Sequence, residues 1–134
     1  MAYLINKKLG AWGERIACAQ YLKQGFVLVA RNVYNNRGKM LGELDLVMRT
    51  ETQLVFVEVK TRTLRSSSKF GPASASITKQ KQRRLINSVR WFCKRFPQYS
   101  LLNPRIDVCA ITVDPLDKSS VNVIMIPSAI EVNC

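Results

Sequence analysis

Hydrophobic positions recur along the chain with two different periods. Over residues 7–24, Leu9, Trp12, Ile16, Ala19 and Leu22 return every three or four residues, the spacing of a buried helix stripe. Gly25 stands just past its end, where a helix stop is expected. Residues 26–30 form an apolar run of strand type, and polar, turn-rich Asn35-Asn-Arg-Gly-Lys follows. The two clearest strands cover 42–49 and 54–62, joined by a short polar turn at Glu51-Thr52. Residues 77–96 read as a second helix, with Leu85, Val89, Phe92 and Phe96 on one stripe and Pro97 barring its continuation. Two further strands are expected at 105–114 and 121–127. The Ser/Gly/Pro-rich stretch 63–76 is a flexible basic loop, of a length that compact domains keep for working or disordered segments. Without a repeat or an inner linker, residues 1–134 read as one α/β domain of order α-β-β-β-α-β-β.

The alternation within the two clear strands sets their pairing. An antiparallel hairpin turning between Glu51 and Thr52 brings Leu44, Leu46 and Met48 opposite Val59, Val57 and Val55, an apolar face suited to a core. The other face then pairs Val47 with Phe56, Asp45 with Glu58 and Glu43 with Lys60. A one-residue slip would scramble both faces, so the pattern specifies the register.

Charge adds a second layer. The 134 residues carry 21 Lys and Arg against 9 Asp and Glu, a net charge of +12. Such an excess draws polyanions, and nucleic acid is the first partner to consider, ahead of a membrane surface or mere solubility. The distribution sharpens this: twelve basic residues and no acid lie between Val59 and Ile106. No apolar run approaches the ~20 residues of a membrane span, and residues 1–8 do not resemble a secretory signal, so a cytoplasmic protein is expected. The chain has no histidine, which excludes serine triads, Cys–His catalysis and His-ligated zinc. Its four cysteines form no C-x-x-C pair and read as buried or incidental thiols. Carboxylates and lysines must therefore do any chemistry.

Two carboxylates directly opposite across a hairpin repel each other unless a cation lies between them. A divalent ion such as Mg²⁺ suits that place, since it takes one or two carboxylates together with water and phosphate oxygens. Lys60 emerges on the face of Glu58, where an ammonium can polarise water or stabilise charge growing on a phosphate. The plainer reading makes Glu58-x-Lys60 a solvated strand edge, with Asp45 paired to Lys60 or Arg62 in a surface network of small value. Against it stands the convergence of Glu43, Asp45 and Glu58, three of only nine acids, on one hairpin face beside the basic tract. Glu14 shares a helix face with the small residues Gly10 and Cys18, which either lets the helix approach the sheet or brings an acid to the site. Asp107 either supports the site or pairs with Arg62 or Arg105, and Glu43 either pairs with Lys60 or points outward. Trp12, Trp91 and Phe92 read as core. Arg62, Lys69, Lys79, Lys81 and Arg83 are the candidate phosphate contacts.

Gly13-Glu14, Gly42-Glu-Leu-Asp-Leu-Val, Phe56-Val-Glu-Val-Lys-Thr-Arg, Phe70-Gly-Pro and Arg105-Ile-Asp-Val together resemble the YraN-like family of small bacterial proteins. The resemblance runs from about Leu9 to Val113. It implies a restriction-endonuclease-like fold, a mixed central sheet flanked by helices, similar to archaeal Holliday junction resolvases and carrying a D…E-x-K metal site on a hairpin. By position it assigns Asp45 and Glu58 to Mg²⁺ or Mn²⁺, with Glu14 completing the site and Lys60 as its lysine. Leu44 stands where the superfamily's signature has proline. The expectation is a metal-dependent endonuclease acting on nucleic acid, DNA first and branched or damaged DNA in particular. A homodimer would suit a two-fold junction. The alternatives are a nucleic-acid-binding module that keeps the fold without cutting, and a basic scaffold for an acidic protein.

Overall fold

A computed structural model of the chain describes residues 2–34, 43–63, 77–114 and 116–133. Its elements are α1 (Ala2–Lys23), β1 (Val27–Val33), β2 (Leu44–Arg49), β3 (Gln53–Thr63), α2 (Lys79–Arg95), a 3₁₀ turn (Pro97–Tyr99), β4 (Asn103–Asp114) and β5 (Asp117–Ile130). This is the expected α-β-β-β-α-β-β order. Of the stretch 63–76 read as a flexible basic loop, Thr63 belongs to β3 and residues 64–76, with Lys69, lie outside the described residues, as do residues 35–42.

The strands form one mixed sheet in sequence order, antiparallel except for the parallel pair β3–β4. Parallel neighbours need a long crossover, and the segment holding α2 supplies it. The β2–β3 hairpin has the predicted register: Leu46 pairs with Val57, Val47 with Phe56 and Met48 with Val55. Thr50 closes its turn, its hydroxyl accepting from Gln53 N–H at 3.0 Å while its own N–H donates to the Gln53 carbonyl at 2.9 Å.

Each face of the sheet carries a helix. Leu46, Met48, Val55, Val57, Cys109, Ile111 and Val113 pack on α1. Val47, Leu54, Phe56 and Ile106 pack on Leu85, Val89 and Phe92 of α2, where Phe56 and Phe92 meet edge to face at 5.4 Å. Thr78 caps α2, its hydroxyl accepting from Lys81 N–H at 3.1 Å.

The face that α1 buries differs from the expected stripe. Gly13, Ala17, Cys18 and Tyr21 are buried, Leu9, Trp12 and Ile16 pack at the margin, Ala19 is exposed and Leu22 is 49% exposed. The physical reason is close approach. A Cβ on Gly13 would run into the Thr61 hydroxyl and lie 3.0 Å from Thr61 Cβ, so α1 rests its smallest residue on β3. The close approach is at Gly13, whereas Gly10 has open space around it. Gly25 ends the helix region with φ +95°, a conformation natural to glycine.

Candidate metal and phosphate site

The paired register of β2 and β3 stops at Leu46–Val57, one step short of the expected Asp45–Glu58 pair. Beyond it Val59 N–H donates to Asp45 Oδ2 at 2.9 Å, so a side chain takes the ladder's place. The alternation breaks with it: Leu44 packs in the α2-side cluster instead of lying with Leu46 opposite Val59. The end of the hairpin thus opens, and acids from three elements enter the gap.

Glu58 is 6% exposed and Asp45 is partly buried. Burial above all, then the charge of Glu58, pushes the Asp45 carboxyl up to about 7; Glu43 adds to this, while the Val59 N–H and Lys81 oppose it. Glu14 reaches about 7 as well, through burial and then the charges of Asp45 and Glu43, and it shares a hydrogen bond with Asp45. Burial also raises Glu58, opposed by Lys81 and Lys60 and reinforced by Glu14. Lys60 is lowered by burial first, then by Arg62 and Lys81, with Glu58 pulling the other way. Glu14, Glu43, Asp45, Glu58 and Lys60 therefore share one electrostatic neighbourhood, with Arg62 next along β3.

Sequence reasoning missed Asn32. It lies on β1 between the pairs Arg31–Leu46 and Val33–Leu44, hence beside Asp45, and has φ +51°. Asparagine tolerates this left-handed conformation better than most residues. With its amide nitrogen turned to the acids, the orientation that opposes donor to acceptor, it donates to Glu43 Oε1 at 3.0 Å and Glu14 Oε2 at 2.9 Å. An asparagine inside a run of strand formers was its only signal.

Lys81 is the one candidate phosphate contact of α2 that touches an acid of this cluster, its Nζ lying 3.3 Å from Glu58 Oε1. Lys79 and Arg83 are exposed along the same helix. Asp107 belongs elsewhere. At 1% exposure it accepts from Arg105 Nε (2.8 Å) and Nη2 (2.9 Å), Tyr21 Oη (2.8 Å) and Ser128 N–H (2.9 Å), which ties β4 to α1 and β5. Its pairing with Arg105 was one of the alternatives open from the sequence; a place in support of the acids is set aside, because four donors occupy its oxygens.

Among the described residues, no three acid or thiol side chains stand grouped so as to hold a metal ion as they are. The donor set itself is all hard oxygen with an excess of negative charge, the chemistry of Mg²⁺ and Mn²⁺. Among the described residues no helix is long and apolar enough to cross a membrane.

Comparison with known proteins adds kinship. Residues 13–111 match the model described as "Uncharacterised protein family UPF0102". A UPF0102 protein of Treponema pallidum (strain Nichols) is 31% identical over 126 residues, 94% of each chain. One of Psychrobacter arcticus is 38% identical over 109 residues, covering 78% of this chain and 60% of its own, and one of Acinetobacter baumannii is 33% identical over 105 residues, covering 78% and 74%. The match begins at the glycine on which α1 meets the sheet and spans every acid of the cluster, and the chain belongs to the UPF0102 family, in keeping with its YraN-like motifs.

Proposed function

We propose that this chain is a metal-dependent nuclease that hydrolyses phosphodiester bonds in DNA, branched or damaged structures included. The observation that carries this reading is the gap at the end of the β2–β3 hairpin, where Asp45 and Glu58 are desolvated together beside Glu14 and a lysine. Desolvating acids side by side costs stability, a cost retained where the group works. Asp45 and Glu58, with Glu14, would hold the ion; Lys81 must first release Glu58. A bound Mg²⁺ or Mn²⁺ would neutralise phosphate charge and activate water.

The chain's own residues supply the rest. Lys60, two positions from Glu58 on the same face of β3, points its ammonium at the phosphate or the attacking water. Asn32 holds Glu14 and Glu43 in place by two hydrogen bonds, which fixes the side of the gap opposite Glu58. Arg62 continues the line of β3 side chains and receives the flanking backbone, with Lys79 and Arg83 along α2. A screen of linear, nicked and four-way-junction DNA with Mg²⁺ and with Mn²⁺ tests this. Cleavage should require metal and vanish in Asp45→Asn and Lys60→Ala; cleavage unchanged in both would refute the assigned roles.

One observation favours a second reading, a nucleic-acid-binding module that does not cut. The Lys81–Glu58 ion pair gives the buried acid a cation without any metal. Such a module would bind DNA with a steep salt dependence but would bind no Mn²⁺ at Asp45.

A further inference from the structure

Next to the acid gap lies a small open pocket lined by Glu43, Lys81, Arg84, Leu85 and Ser88. Four of these come from one stripe of α2, since positions 81, 84, 85 and 88 follow the three-to-four spacing of a single helix face. The stripe is held rigidly: Leu85 is buried against the sheet, Val89 and Phe92 anchor the following turns, and Thr78 fixes the helix start. Ser88 is 1% exposed, while Arg84 is exposed. The lining therefore brings a guanidinium and an ammonium, both on exposed side chains, to one small pocket. Among the described residues Glu43 is the one acid of its lining, and Asn32 ties that carboxylate back towards Glu14. Lys81 faces both ways, being 3.3 Å from Glu58 and part of the pocket wall.

We propose that Lys81 and Arg84 form a phosphate subsite beside the acid gap. Its ligand is a phosphate of a nucleic-acid strand, either an internal diester or a terminal monoester. The inference rests on the reading that this face meets nucleic acid, and it deepens that reading by setting where the strand is gripped. A planar fork suits two phosphate oxygens at once, and an ammonium beside it adds a third charge-assisted contact. A phosphate seated there draws Lys81 towards itself and away from Glu58, so the strand's arrival frees an acid of the gap.

The test is binding of the full chain to a 3′-labelled DNA duplex in EDTA, followed by fluorescence anisotropy over a range of salt concentrations. Arg84→Ala should weaken binding roughly tenfold, as loss of a charge-assisted hydrogen bond does. It should also flatten the salt dependence by about one phosphate contact. Arg84→Lys should recover part of the loss, and Lys94→Ala, an exposed change elsewhere on α2, should alter affinity by less than about twofold. Duplexes with 5′-phosphate and 5′-hydroxyl ends separate the two sources: an equal loss on both identifies an internal diester, and a loss confined to the phosphorylated end a terminal monoester. An Arg84→Ala loss no greater than that of Lys94→Ala, or an unchanged salt slope, would overturn the subsite. Because EDTA prevents cutting, that failure leaves metal-dependent cleavage untouched, whereas a wild-type chain that binds neither duplex sinks the nucleic-acid reading beneath it.

Discussion

Replacing Asp45 by asparagine should make the metal-free protein more stable at about pH 8. The amide of the variant keeps an oxygen for the Val59 N–H, so the bond that ends the hairpin survives. What the change removes is a charge desolvated beside Glu58 and Glu43. The Asp45 carboxyl is raised from 3.8 to about 7, and at ~1.36 kcal/mol per pH unit the ceiling on the penalty is about 4 kcal/mol. Glu14 is raised to about 7 beside Asp45 and Lys81 leans on Glu58, so part of that strain remains in the variant or is already relieved. A net gain of roughly 1–3 kcal/mol is expected, or about 4–10 °C in Tm for a chain of this size. The sign follows from proton counting. Between about pH 4 and pH 7 the native wild type holds a proton that the unfolded chain has released, so its stability falls as pH rises through that interval. The gain from Asp45→Asn should therefore shrink several-fold at about pH 4.5. Urea unfolding of both proteins at the two pH values, with EDTA present, measures it. A variant less stable than wild type at the higher pH, or a gain independent of pH, would refute the repulsion on which the site is built.

Three other substitutions probe the frame around the site. Gly13→Ala should destabilise by a net ~1–2 kcal/mol, since overpacking against Thr61 outweighs the ~1 kcal/mol that alanine gains in a helix. A double-mutant cycle with Thr61→Gly should recover most of that loss. Asp107→Ala should cost about 3–5 kcal/mol by stranding Arg105 and Tyr21, while Tyr21→Phe should cost only about 1–2 kcal/mol, both read by urea unfolding. Thr78→Ala should cost about 1 kcal/mol through loss of the α2 cap.

Strand alternation was legible because both partners of the hairpin are apolar on a period of two, and only one register satisfies Leu46, Met48, Val55 and Val57 together. The end of that ladder was not legible, because a carboxylate standing in for a backbone carbonyl leaves no mark on hydrophobic pattern. The α1 face misled for a related reason. Apolar size marked Ala19 and Leu22, but contact distance at Gly13 and the tie from Tyr21 to Asp107, 86 positions away, decided the rotation of the helix. Asn32 entered the site region through tertiary register alone. Arg105 and Asp107, two apart on one strand, stood among the readable pairs, whereas the donors from Tyr21 and Ser128 did not.

The acids at the open end of the hairpin are expected to take a divalent ion, and this can be measured without any substrate. Calorimetric titration with Mn²⁺ at about pH 7 compares the wild-type chain with Asp45→Asn and Glu58→Gln. Saturable binding with proton release is expected in the wild type, because metal displaces protons from carboxyls pushed up to about 7, and both variants should lose that binding. Equal Mn²⁺ binding in all three proteins, or none in the wild type, would leave the gap without its ion and the nuclease reading without a basis.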